Sequence, residues 1–206
     1  MESHWYVYPE IEMMGREGDV EALIRELESR ELTRRFDAVK ALRESADCDA
    51  VEPLLGVLDN DNEMLRSAAA WALERVGDER AVEPLIQALD DESGGVRGTA
   101  LAALASIAGE GAVQSIIAAL KDGESVVRLT AAVSLGNIGD PRAVEPLIAA
   151  LEDEEIGVRV SVRAYVARAL GKIGGPRAEE ALRAASHDGD ELVRKEALKA
   201  LDAPGS

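Results

Sequence analysis

Six arginines hold matching places along this 206-residue chain. Arg35, Arg66, Arg97 and Arg128 lie 31 residues apart, the step to Arg163 is 35, and the step to Arg194 is again 31. A guanidinium is a planar fork of donors that suits carboxylate or phosphate. A row of them at one spacing is either an anion-binding stripe or a structural ladder. Other reactive chemistry is thin. The two histidines, His4 and His187, stand far apart, and no cluster of His, Cys, Asp and Glu has metal-ligand spacing. Cys48, the single cysteine, cannot form an internal disulfide, and Asp47 and Asp49 beside it disfavour the thiolate, so it reads as inert. Acid pairs such as Glu154-Glu155 read as loop charges, and Gly94-Gly95 and Gly174-Gly175 as turn residues. No glycine-rich loop joins a strand to a helix in the way a phosphate site requires. The sequence predicts no catalytic site, no cofactor and no metal.

The elements that carry the arginines repeat with them. Ala50-Val51-Glu52-Pro53-Leu54-Leu55 returns as Ala81-Val82-Glu83-Pro84-Leu85-Ile86, as Ala112-Val113-Gln114-Ser115-Ile116-Ile117 and as Ala143-Val144-Glu145-Pro146-Leu147-Ile148. Units begin near Asp19, Ala50, Ala81, Ala112, Ala143 and Ala178, and the fifth carries four extra residues, about one helical turn. Self-similarity at this period marks a solenoid whose units bury their apolar faces against neighbours. Val82, Leu85, Ile86 and Leu89 space as one stripe of an amphipathic helix, and Val127, Ala131, Leu135 and Ile138 as a second. Asp122 and Ser125 are candidate N-caps for that second helix, and Gly139-Asp140-Pro141 ends it. Pro53, Pro84 and Pro146 fall in first turns, where the missing amide proton has no intrahelical partner anyway. No alternating strand pattern occurs. The prediction is all-α, about six two-helix repeats over 19–206, preceded by an apolar, aromatic tail over 1–18.

Gly77-Asp78-Glu79-Arg80-Ala81-Val82-Glu83-Pro84-Leu85-Ile86, Gly139-Asp140-Pro141-Arg142-Ala143-Val144-Glu145-Pro146-Leu147-Ile148, and Val127-Arg128 running into Leu135-Gly136-Asn137-Ile138-Gly139 resemble the short HEAT-like repeat of the phycobilisome-lyase type. The resemblance covers roughly 19–202 and implies a right-handed α-α superhelix, with first helices convex and second helices lining a concave, partner-binding side. It also implies that the repeated arginines pair with acids before the second helices, here Asp91, Asp122, Asp153 and Asp188. The family includes scaffolds, bilin lyases and artificial binders, so the resemblance specifies fold far more sharply than function.

Net charge is −17, and residues 1–120 hold 25 acids against 11 bases. Such a field repels phosphate backbones and argues against nucleic acid as a partner. The N-terminus lacks a secretory pattern, no stretch approaches the ~20 apolar residues of a membrane span, and the lone cysteine suits a reducing cytoplasm.

Six aromatics occur: Trp5, Tyr6, Tyr8, Phe36, Trp71 and Tyr165. Alignment on the arginines puts Phe36, Trp71 and Tyr165 at outward positions of second helices, the concave face by resemblance. Met64, Thr99, Leu129 and Val133 share that face. Gly98, Thr99 and Ala102 predict a notch beside Trp71. Exposed aromatics beside a depression are what interface anchors look like, although Trp71 could equally pack between neighbouring helices. Arg168, Lys172, Lys195 and Lys199 make the C-terminal part of the face basic. The tail from Trp5 to Met14 either caps the open end of the first unit or lies in a groove, its own or a neighbour's. The expected function is a non-catalytic, cytoplasmic scaffold that holds a protein or peptide segment on the concave face. A bilin-lyase-like factor and a self-assembling element, dimerised through the tail, are the alternatives.

Overall fold

The computed structural model describes residues 7–45, 50–152 and 161–202, so Trp5, Tyr6, Cys48 and Asp153 lie outside the described residues. The chain separates into two compact units, Met1–Ile107 and Ala108–Ser206. Among the described residues every regular element is helical. In the first unit the order is α1 (Pro9–Glu17), α2 (Val20–Leu27), α3 (Leu32–Ser45), α4 (Val51–Val57), α5 (Glu63–Val76), α6 (Val82–Gln87) and α7 (Gly94–Ala108). The second holds α8 (Val113–Ala118), α9 (Ser125–Ile138), α10 (Val144–Ala150), α11 (Val162–Ile173), α12 (Pro176–Ala185) and α13 (Glu191–Leu201).

Within each unit, like packs on like. In the first, α3 lies between α1 and α5, while α2 and α4 pair behind them; in the second, α11 lies between α9 and α13, while α10 meets α12. The residues that begin the repeats explain the regular stacking. Ala50, Ala81, Ala112, Ala143 and Ala178 are all buried, and Leu54, Leu85, Ile116, Leu147 and Leu182 follow them into the core. Small residues set the helix spacing. A Cβ added to Gly136 would sit 2.8 Å from the Ala169 Cα, so α9 and α11 meet nearly backbone to backbone.

Helix ends follow local chemistry. Asp19, Asn62, Ser161 and Asp190 accept amide protons as N-caps. Gly139 closes α9 at φ 77, a left-handed conformation that glycine adopts at little cost. Two expectations are corrected. Asp122 does not cap α9: its Oδ1 accepts the Glu124 amide at 2.8 Å and bends the turn before the helix, while Ser125 is the first helical residue. In the fifth repeat α11 begins at Val162, capped by an extended Ser161 (φ −76, ψ 116), and the other extra residues lie outside the described residues. Gly94 and Gly95 are helical, opening α7, rather than turn residues. An 18-residue window within 94–121 reaches a mean hydropathy of 1.5, but Arg97 and Glu110 interrupt the stretch and the chain takes a left-handed turn within it at Gly109 (φ 47).

The first helix lies outside the repeats. The Asp37 carboxylate on α3 accepts the amides of Val7 at 2.8 Å and Tyr8 at 2.9 Å, Ile11 is fully buried, and Gly15 abuts Ala41. Arg34 lies over the Tyr8 ring and bridges Glu26 and Glu10, holding the Glu26 carboxyl below its ordinary range.

Candidate functional site: the second-helix faces

The repeated arginines have two habits. Arg66, Arg97, Arg128 and Arg194 each turn Nη1 back onto the carbonyl oxygen six residues earlier, at 2.7 to 2.8 Å. Those carbonyls end the preceding turn and have no intrahelical donor. The fork then reaches sideways. Arg66, itself buried, donates from Nε to Asp91 Oδ2 at 2.6 Å and from Nη2 to Oδ1 at 2.8 Å. Arg163 donates to Asp188. The Arg66 fork and the Ser93 amide outweigh burial and hold the Asp91 carboxyl below the usual range. Burial pushes Asp188 upward, but the Asp190 amide and Arg163 more than offset it. Arg35 is the exception: among the described residues its guanidinium has no hydrogen-bond or ion-pair partner, and its Nε, like that of the paired Arg163, is buried without an acceptor.

In the first unit, Phe36, Met64, Trp71 and Thr99 come together. They line a groove of about 830 Å³ along α3, α5 and the start of α7. Phe36 is 53% exposed and Met64 37% exposed, while Trp71 is half-buried, with the Arg43 guanidinium 3.8 Å from its ring centre. Thr99 forms the floor. Its hydroxyl donates to the Gly95 carbonyl at 2.9 Å and lies 2.9 Å from the Ser67 hydroxyl, so both polar groups are satisfied locally. Gly95, lacking a side chain, keeps the α7 end open. Gly98 and Ala102, expected in the notch, do not line it. Sequence reasoning missed Val39 and Lys40, which also line the groove; the signal was their i+3 and i+4 spacing from Phe36 on α3. Arg35, expected as a ladder residue, lines it too.

The second unit is arranged differently. Leu129 and Val133 are half-buried on α9. Tyr165 is half-buried on α11 with the Arg168 guanidinium 4.3 Å from its ring centre, and Lys172 donates to Asn137 Oδ1 at 2.6 Å. Lys195 and Lys199 are exposed on α13. A smaller hollow of about 440 Å³ lies between first helices, against Ile117, Leu120 and Pro146, and takes in Arg128 alone of the predicted residues. His187 is exposed, beside the Arg183 carbonyl and the Ser186 hydroxyl, and no group of three or more metal-ligating side chains occurs among the described residues.

Comparison with known proteins agrees with the fold. No curated protein matches the sequence. Among solved structures, the Escherichia coli protein YIBA is 20% identical with a TM-score of 0.71, over 98% of this chain and 76% of that one. A designed armadillo repeat protein in complex with the peptide (KR)4 is 21% identical with a TM-score of 0.61, over 89% and 100%. The CpcE–CpcF complex of phycocyanin lyase from Nostoc sp. is 26% identical with a TM-score of 0.54, over 93% and 79%. The architecture is therefore shared by peptide binders and by a lyase. The HEAT repeats family matches residues 20–94, 82–162 and 159–206, and the chain belongs to that family.

Proposed function

We propose that this chain is a non-catalytic interaction module that seats a polypeptide segment of a partner in the groove of the first unit. One observation carries the reading: a bare aromatic, Phe36, and a half-exposed Met64 stand beside Trp71 on a groove large enough for several side chains. Large apolar surface in a concavity marks a binding site more often than a defect. Phe36, Met64 and Trp71 supply contact area, and Arg43 over the indole holds the ring at the wall. The peptide carried by the designed armadillo relative supports the same use of this architecture.

The experiment is selection of random displayed peptides on the full-length chain, followed by affinity measurement on Trp71→Ala and Tyr165→Ala. Trp71→Ala is expected to cost about 2 kcal/mol of binding or more, as a central anchor does, with the helical circular dichroism unchanged. Absence of binders, or binders indifferent to Trp71→Ala, would refute the reading.

A further inference from the structure

The first arginine rung differs from the others by one residue. In the Arg66–Asp91 and Arg163–Asp188 pairs the acid stands 25 residues after the arginine. The same step of 25 from Arg35 reaches Asn60. The turn is built alike in each case. Asn60 Oδ1 accepts the Asn62 amide at 2.9 Å, as Asp91 Oδ1 accepts Ser93 and Asp188 Oδ1 accepts Asp190 at 2.8 Å. The side chain at this place has the right shape and the wrong charge.

Among the described residues, two guanidiniums on α3 have no acceptor. Arg35 lines the groove, and its Nε is shut off from solvent unpaired. Arg43, two turns along the same helix, also has a buried, unpaired Nε and only the Trp71 ring beside it. The acid nearest Arg35 on that helix, Asp37, is occupied by the Val7 and Tyr8 amides. A buried donor without an acceptor is costly, and bonds from a guanidinium to a carboxylate are among the strongest available.

We infer that the groove selects a partner segment bearing an aspartate or glutamate next to a bulky apolar residue. The carboxylate closes the first rung on Arg35 from outside the chain, and the apolar residue rests on Phe36, Met64 and Trp71. This rests on the groove being a peptide site. The net charge of −17 opposes an acidic segment at a distance and is screened beyond a Debye length of about 8 Å; the groove wall also carries Glu63 and Asp37, of which Asp37 is engaged by backbone amides, so selection for an acid falls to Arg35.

Random peptides displayed on phage and selected against the full-length chain provide the test. The selected peptides are expected to be enriched in Asp or Glu beside an aromatic or aliphatic residue. Replacing that acid by its amide, or Arg35→Gln in the protein, should each weaken binding about tenfold, and both together no more than either alone. Asn60→Asp supplies the carboxylate from within. It should raise the unfolding midpoint, weaken acidic peptides by a similar factor and leave neutral ones unaffected. Peptides without acidic enrichment, or affinities that survive Arg35→Gln while Trp71→Ala still removes binding, would overturn this inference alone. A selection that yields nothing sensitive to Trp71→Ala would instead remove the groove reading on which it stands.

Discussion

The first unit leaves the surroundings of its second-helix aromatics open, and the second unit pairs the groups around Tyr165. Phe36 follows an arginine with no partner and is 53% exposed. Tyr165 follows an arginine bound to Asp188 and lies under Arg168. Lys172, which the sequence offered as a binding cation, is held by Asn137. Aromatic content alone does not distinguish the two faces. What distinguishes them is whether neighbouring side chains already satisfy one another. A face whose groups are mutually paired is architecture; one with leftover donors and bare apolar surface can take a ligand.

The sharpest way to break this contrast is to remove the arginines. Arg66→Ala strands the Asp91 carboxylate, with both side chains about nine-tenths buried. Urea unfolding should show a loss of about 3 kcal/mol, the lower end for a buried pair deprived of one member. Arg35→Ala, which strands nothing, should fall within about 0.5 kcal/mol of the parent. Equal losses would mean that the first rung has a partner after all. Next in size is the aromatic pair. Tyr165→Ala should leave the affinity of peptides selected on the groove unchanged, where Trp71→Ala removes it; a shared loss would extend the binding surface into the second unit.

The smallest effect is one of pH. Asp91 and Asp188 both titrate below an ordinary aspartate because the folded state stabilises their anions. A depressed folded pKa contributes stability that is complete above the unfolded value of about 4 and disappears as pH falls through the folded one. Thermal midpoints should therefore be flat from pH 7 to about 4 and decline below it, less steeply in Arg66→Ala than in the parent. Asp78, held at about 2 by the Arg80 guanidinium and amide, is exposed to the same protonation still lower.

Much of the fold was legible in the residues. The alanine that opens each repeat, the proline in the first turn and the glycine after Ile138 are backbone requirements, and such requirements show in spacing. The groove was half legible. Phe36, Met64, Trp71 and Thr99 shared a face by register alone. The cover over Tyr165 comes from Arg168 three residues on in the same helix, a spacing that permits the contact without showing which way the arginine turns. The missing first rung was visible as Asn60, but only once the 25-residue offset of the acid was known. Asp37 was illegible, because its two acceptor bonds go to a helix outside the repeat pattern.

Asp91 has two duties: one oxygen shapes its own turn, and both grip an arginine of the preceding repeat. A local bend is thereby welded to a neighbour, so the third repeat cannot open without releasing the second. Asn60 shapes its turn but grips nothing. The first helical hairpin therefore lacks this weld to the second, and hydrogen exchange is the measurement that would show it opening separately. A ligand that closed this seam would carry cooperativity to the end of the array.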